Sequence, residues 1–271
     1  MRIPISSVVL FCLATISSVD AAEPAHVFAA GSLVASVTQL IKASGLTPAE
    51  LAEPVFGPSG GLRERIEKGE SADLLLSADM DHPRTLAKAR PQTLVVPFAR
   101  NNLCLFGRDS LGLTQANALD KMLDPKVRLA TSTPVLDPGG DYAFAVFKRA
   151  EAVHPGAEAV LAQKALKLFV GPTAMTPMPG HSLAGSILLA DKADLLLVYC
   201  SGKQQTARDV PGLVAVRLPP AIDVAATYGL ALLSDNPAAA RLALFVLSEK
   251  GQDILAANGL VPVDSERGEQ R

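Results

Sequence analysis

The sequence predicts an α/β protein folded as two lobes. Strand-like apolar runs alternate with helical patterns over most of the chain, the signature of a sheet flanked by helices. The 271 residues are 49% hydrophobic and 19% charged, with Ala and Leu dominant, few aromatics and no Trp, which favours a helix-rich α/β protein over a β-sandwich. No long linker divides the chain, and two short segments stand out as crossings between lobes, Phe98–Asn102 outward and Ile222–Tyr228 in return.

The elements follow in order. Residues 1–21 read as an export signal: Arg2 is the early basic residue, an apolar stretch runs from Ile3 to Ile16, and Val19-Asp20-Ala21 resembles a small-residue cleavage site, with cleavage placed after Ala21. The stretch is too short for a comfortable membrane span, and Cys12 leaves with it. Two successive strand–turn–helix units come next. Ala25–Ala30 leads through Gly31-Ser32 into a helix near Leu33, and Leu51–Phe56 leads through Pro58-Ser59 into a helix near Gly60. A strand at Leu74–Ser77 precedes a helix from Met80 to Ala89 capped by Asp79. Leu94–Pro97 and Leu103–Phe106 read as two strand runs joined by the polar Phe98–Asn102 segment.

Helical patterns then begin near Asn117, Gly140, Gly156 and Ser182, with strands near Val127–Ala130, Leu195–Tyr199, Leu213–Val216 and Thr227–Leu233. Asn236-Pro237 opens a helix to Ser248, with Pro at the first helical position, and another begins near Glu249. The tail from Asp264 to Arg271 is charged and non-periodic and is expected to be disordered. The lobe boundaries expected are 22–100 plus 222–271 for the first and 101–221 for the second.

Charge and cysteine usage exclude some functions. The net charge is −2 and no Lys/Arg run occurs, so a nucleic-acid surface is not expected. Cys104 and Cys200 remain after loss of the signal, either paired in one disulfide or left as two buried thiols. Two isolated cysteines and four scattered histidines, with no His-x-x-x-His pair, do not suggest a site for a bare metal cation.

The candidate site starts from the paired turns. A helix start offers free backbone N–H groups and the positive end of a dipole, and a Ser hydroxyl adds a donor. Ser32 and Ser59 aimed at one point make an anion site without Lys or Arg; alternatively each is an ordinary N-cap. Gly180-His181-Ser182-Leu183-Ala184-Gly185 looks like the nucleophile turn of a serine hydrolase, but no His follows Ser182 and no strand directly precedes Gly180. That leaves the hydrolase a remote alternative, and Ser182 reads as a helix N-cap.

Several short pieces, in this order and spacing, resemble the periplasmic molybdate-binding proteins of ABC importers, which are type II solute-binding proteins. They include Val27–Leu33, Gly57–Gly60, Ile66–Gly69, Ala72–Asp79, Phe98–Asn101, Asp137–Ala143, Lys192–Asp194 through Val198-Tyr199, and Ser248–Gln252. The resemblance implies a two-lobed periplasmic binding protein, each lobe a mixed sheet flanked by helices. It implies no enzymatic activity and no cofactor, and a monomer that takes up molybdate or tungstate in the periplasm and docks on a membrane permease. The family holds its oxyanion with neutral donors. Matched by motif, Ser32 and Ser59 would be the serine ligands, Gly139 a backbone donor, Tyr199 the tyrosine ligand, and the Gly180–Ser182 stretch, with His181 and Ser182, a further donor region.

Three positions depart from the pattern. Asp137 places a carboxylate beside the expected site, either near the oxyanion's metal centre or as a cap for the helix near Gly140. His181 stands where an aliphatic residue is usual, as a pH-sensitive neighbour or a surface turn residue. Pro58 stiffens the turn before Ser59. A receptor of the same fold for sulfate, phosphate or an organic acid is the alternative reading.

Overall fold

Apolar runs four to eight residues long, buried on both faces, form the central strands, and amphipathic segments with identifiable caps cover them. The computed structural model describes residues 23–263; the expected export signal and the charged tail lie outside the described residues. The strands are β1 (Val27–Ala30), β2 (Val55–Gly57), β3 (Leu74–Ser77), β4 (Leu94–Arg108), β5 (Leu129–Thr131), β6 (Leu166–Lys167), β7 (Leu195–Tyr199), β8 (Leu213–Arg217), β9 (Ala225–Leu232) and β10 (Val261–Pro262). The helices are α1 (Val34–Ser44), α2 (Ser59–Glu67), α3 (Asp81–Ala89), α4 (Ala118–Leu123), α5 (Pro138–Val153), α6 (Ala157–Lys164), α7 (Leu183–Leu189), α8 (Lys203–Asp209), α9 (Pro237–Leu247) and α10 (Glu249–Ala257).

Several helix starts follow from local chemistry. The Asn236 side chain accepts from the Ala238 and Ala239 N–H groups, with Pro237 in the first turn, and so opens α9. Ser248 ends α9 and caps α10 through the Gly251 N–H. Asp79 acts one residue before the N-cap position of α3, where its Oδ1 accepts from the His82 N–H at 3.1 Å.

The strands pair in two groups that share β4. In the first, β2, β1 and β3 run parallel, and β9 joins β3 antiparallel. The first half of β4, Leu94 to Asn102, pairs with β9, with a register shift between Pro97 and Ala99. In the second, Leu103 to Arg108 of the same strand pairs with β7 and β8, and β5 joins β7 and β6 in parallel. The polar segment expected to join two runs is therefore part of one continuous strand. Its Arg100-Asn101-Asn102 stays extended because the ladder to Thr227, Ala226 and Ala225 satisfies the backbone.

Each group has its own core. Leu33, Leu40, Leu74, Leu76, Phe98, Leu230, Leu242 and Val246 pack together in the first. Leu103, Leu105, Met122, Leu129, Val146, Phe147, Leu195 and Leu197 pack in the second. Tyr142 and Tyr199 pack against both. Of the two states left open for the cysteines, the structure has the bridge. Cys104 of β4 is joined to Cys200, the residue after β7, with Cα atoms 4.9 Å apart. Among the described residues no helix is long and apolar enough to cross a membrane.

Candidate oxyanion site between the two sheets

Two strand ends set the first half of the site. β1 and β2 are parallel neighbours, with Ala30 opposite Gly57, so the turns that follow them lie side by side. Neither serine caps its own helix. Ser32 lies in a short 3-10 turn before α1, and its Oγ shares a hydrogen bond of 3.0 Å with the Tyr228 hydroxyl. Ser59 is buried at the first position of α2, where its Oγ accepts from the Ala78 N–H at 3.1 Å. The alternative that both are ordinary N-caps is therefore corrected: long-range partners hold both hydroxyls at the strand ends.

The second half comes from β5, β7 and α5. The loop Ser132–Asp137 folds back over the start of α5, and Gly140 is required there. A Cβ on Gly140 would lie 2.3 Å from the Thr133 carbonyl carbon and 2.4 Å from the Pro134 nitrogen. Val135 in that loop holds φ +70°, a strained value for a β-branched residue, and its N–H donates to Asp141 Oδ1 at 2.8 Å. Asp137 stands at the N-cap position of α5 with Pro138 next, but its side chain makes no cap hydrogen bond, so it holds the place of a cap without its bond.

The halves meet directly. A Cβ on Gly60, in the first turn of α2, would lie 2.9 Å from the Val135 carbonyl oxygen, 3.1 Å from that of Leu136 and 3.4 Å from His82 Cε1. A Cβ on Gly139 would lie 3.0 Å from Asp137 Oδ2 and 3.4 Å from Tyr199 Cε2. The Tyr199 ring meets Tyr228 edge-on at 5.6 Å between centroids and Tyr142 at 6.4 Å. The three tyrosines of the chain thus form one row between Ser32 and the start of α5.

Ser32, Ser59, Gly139 and Tyr199 are brought to one junction. His181 and Ser182 are not joined to it by any contact among the described residues. Ser182 caps α7 through the Gly185 N–H, and its own N–H and hydroxyl donate to Asp209 of α8. The N-cap expectation for Ser182 holds, and a carboxylate that keeps the hydroxyl occupied does not suit a nucleophile turn. The His181 ring nitrogen lies 3.0 Å from the Pro179 carbonyl oxygen.

Sequence reasoning missed several residues of this junction. Tyr228 bonds Ser32 and receives a hydrogen bond from Asn101 Nδ2 at 3.2 Å, and the same Asn101 group lies 2.8 Å from Ser201 Oγ. Thr131 and Ser132, buried at the end of β5, carry no role in the sequence reading. The hydroxyls of Thr131, Ser132 and Tyr199 are buried without a clear hydrogen-bond partner in the protein, and only the Asp137 carboxyl lies close to that of Ser132. Buried hydroxyls are normally satisfied, and these three lie at the ends of β5 and β7, among eight such side-chain atoms in the described residues. No sequence signal separates such a hydroxyl from an ordinary turn residue.

The electrostatics fit a dry junction. Burial raises the Tyr199 hydroxyl well above its usual range, with Tyr228 and Asp137 adding to the rise. Burial also raises Tyr142, to about 12. Burial raises the Asp137 carboxyl as well, against the lowering pull of the Ser132 hydroxyl and the Gly139 N–H.

Comparison with known proteins places this architecture. A relative from Pasteurella multocida (strain Pm70), the uncharacterized protein PM1146, is 38% identical over 178 residues, 65% of this chain and 73% of its own. Among solved structures, the sulfate-binding protein SubI from Mycobacterium tuberculosis superposes with a TM-score of 0.69 at 16% identity, covering 90% of this chain and 88% of its own. The periplasmic molybdate-binding protein of Azotobacter vinelandii superposes with a TM-score of 0.66 at 18% identity, covering 88% and 98%. At such identities the likeness is one of fold. The model of the bacterial extracellular solute-binding proteins matches residues 25–261, nearly the whole described structure, and the chain belongs to that family.

Proposed function

We propose that this protein is the periplasmic receptor of an ABC importer and that it captures a tetrahedral oxyanion, molybdate or tungstate, at the junction of the two sheets. The observation that carries this reading is the set of buried, unpartnered hydroxyls of Thr131, Ser132 and Tyr199 at the ends of β5 and β7, with the Tyr199 ring against Gly139 and against Tyr228, the partner of Ser32. A tetrahedral dianion needs donors on all sides, and hydroxyls with a helix start replace its hydration shell without a counter-ion. Each charge-assisted hydrogen bond contributes about 1.5–3 kcal/mol, so six or so offset the cost of association and leave micromolar or tighter binding.

Ser32, Ser59, Gly139 and Tyr199, with the Thr131 and Ser132 hydroxyls added, form the ligand set of this proposal. His181 and Ser182 stay outside it, because Asp209 and α7 occupy Ser182. Residues 22–100 with 222–271 act as one lobe and 101–221 as the other, closing about β4 and β9.

Calorimetric titration of the mature protein with molybdate, tungstate, sulfate and phosphate tests the proposal. One-to-one binding of molybdate or tungstate, with sulfate much weaker, is the expected result, and Ser32→Ala with Ser59→Ala should lower affinity at least tenfold. Silence from all four anions, or an unaffected double variant, overturns it.

A further inference from the structure

One group at the junction runs against a simple anion site. The Asp137 carboxyl stands at the N-cap position of α5, with Oδ2 3.0 Å from where a Cβ on Gly139 would lie, and so crowds the helix start and the unpartnered Ser132 hydroxyl that an anion would use. Its surroundings carry little to neutralise it. His82 faces it from α3, and Asp79 stands before that helix with Oδ2 3.6 Å from His82 Nε2. Asp141 adds a like charge from α5, and the hydroxyls of Tyr199 on β7 and Tyr228 on β9 lie within its field. His82 is thus shared among Asp79, Asp137 and Asp141.

An oxyanion that accepts from the Gly139 N–H comes into contact with this carboxyl. Two anions in contact in a closed, partly desolvated site do not both keep full charge, and one shared proton resolves the conflict. We infer that Asp137 couples capture of the oxyanion to uptake of one proton from solvent. The proton moves onto the Asp137 carboxyl, which turns from an acceptor into a donor and gives its hydrogen to an oxygen of the bound anion. The burial that already raises this carboxyl above the ordinary range prepares it for the step. An anion that arrives with its own proton, such as hydrogen phosphate, meets the ionised carboxylate and takes up none. This inference rests on the receptor reading above and adds that the cargo is an oxyanion together with a proton.

The test is calorimetric titration of the mature protein with sodium molybdate, and in parallel tungstate and sulfate. It is run at about pH 7 and about pH 8, each in two phosphate-free buffers of low and high ionisation enthalpy. The difference in heat between buffers counts the protons bound. Uptake of about one proton per anion is expected, with affinity falling up to about tenfold per pH unit. Asp137→Asn keeps the shape at the N-cap position and should bind with no proton uptake and no pH slope, whereas His82→Asn should keep the uptake. Binding without proton uptake overturns the inference and leaves the receptor reading intact. Uptake that persists in Asp137→Asn and vanishes in His82→Asn overturns it in favour of the imidazole. No binding of any of the three anions overturns the receptor reading and this inference together.

Discussion

The hydroxyls of two tyrosines whose rings meet edge-on face opposite circumstances. That of Tyr228 is tied to Ser32 and Asn101, while that of Tyr199 is buried with no partner in the protein. Removing a satisfied hydroxyl costs about 0.5–1.5 kcal/mol per bond lost, while removing an unsatisfied one costs the ligand-free fold nothing. Tyr228→Phe should therefore lower the stability of the free protein by about 1–3 kcal/mol, read from urea denaturation. Tyr199→Phe should leave that midpoint unchanged or higher, yet weaken oxyanion binding by about 1.5–3 kcal/mol, roughly ten- to a hundredfold. A Tyr199→Phe protein that is destabilised and binds normally would make this hydroxyl structural. A second residue contributes to the acid sensitivity of the fold. Glu50 accepts from the Thr47 N–H and hydroxyl and from Arg241, which hold its pKa down at about 2. A depressed carboxylate stabilises above its unfolded value and loses that contribution as pH falls through the folded one. The stability lost between about pH 4.5 and about pH 2 should be smaller in Glu50→Gln than in the parent, by denaturant midpoints across that window.

At the scale of elements, the start of α2 is built for contact with the other sheet. Gly60 costs helix stability relative to Ala, by roughly 0.5–1 kcal/mol, and its justification is the pair of carbonyl oxygens facing it across the cleft. Gly60→Ala should therefore force the Val135–Leu136 backbone away, lower stability by about 1–3 kcal/mol in urea, weaken oxyanion binding about tenfold or more, and enlarge the radius of gyration in small-angle scattering. Unchanged affinity would show that closure does not pass through this contact. The same element shows what the sequence made legible. Ser59 follows an apolar run and precedes an amphipathic one, so its place at a strand end was readable, and so was that of Ser32. Its partner was not, because the Ala78 N–H comes from another strand's end. β4 was split in two because Arg100-Asn101-Asn102 breaks the apolar pattern, and only the ladder to β9 keeps them extended. α8 was missed because Lys203–Asp209 has a single buried residue, Thr206, and so no apolar stripe. Asn101 and Tyr228, 127 residues apart, meet only because β4 and β9 pair.

For the whole molecule, the issue is what holds two cores in one relation across the junction between them. The chain passes between the strand groups along β4, and the Cys104–Cys200 bridge sits just past that passage. It joins residues 96 apart in sequence, so most of its effect is on the unfolded chain, where closing a loop of that length is worth up to about 4–5 kcal/mol. It also acts locally. Cys200 directly follows Tyr199 and precedes Ser201, whose Oγ lies 2.8 Å from Asn101 Nδ2, the group that also reaches Tyr228. Loss of the bridge thus frees the segment that aims the unpartnered hydroxyl. Cys104→Ala with Cys200→Ala should lower stability by about 2–5 kcal/mol in urea. It should also weaken oxyanion binding under conditions where the variant is still folded. Tyrosine emission is the reporter for both, since the chain has no Trp and its three Tyr all lie at this junction. A variant that loses stability yet binds with parental affinity would confine the bridge to the unfolded-state effect. One that keeps both would mean that the strand ladder of β4 with β7 fixes Tyr199 without it.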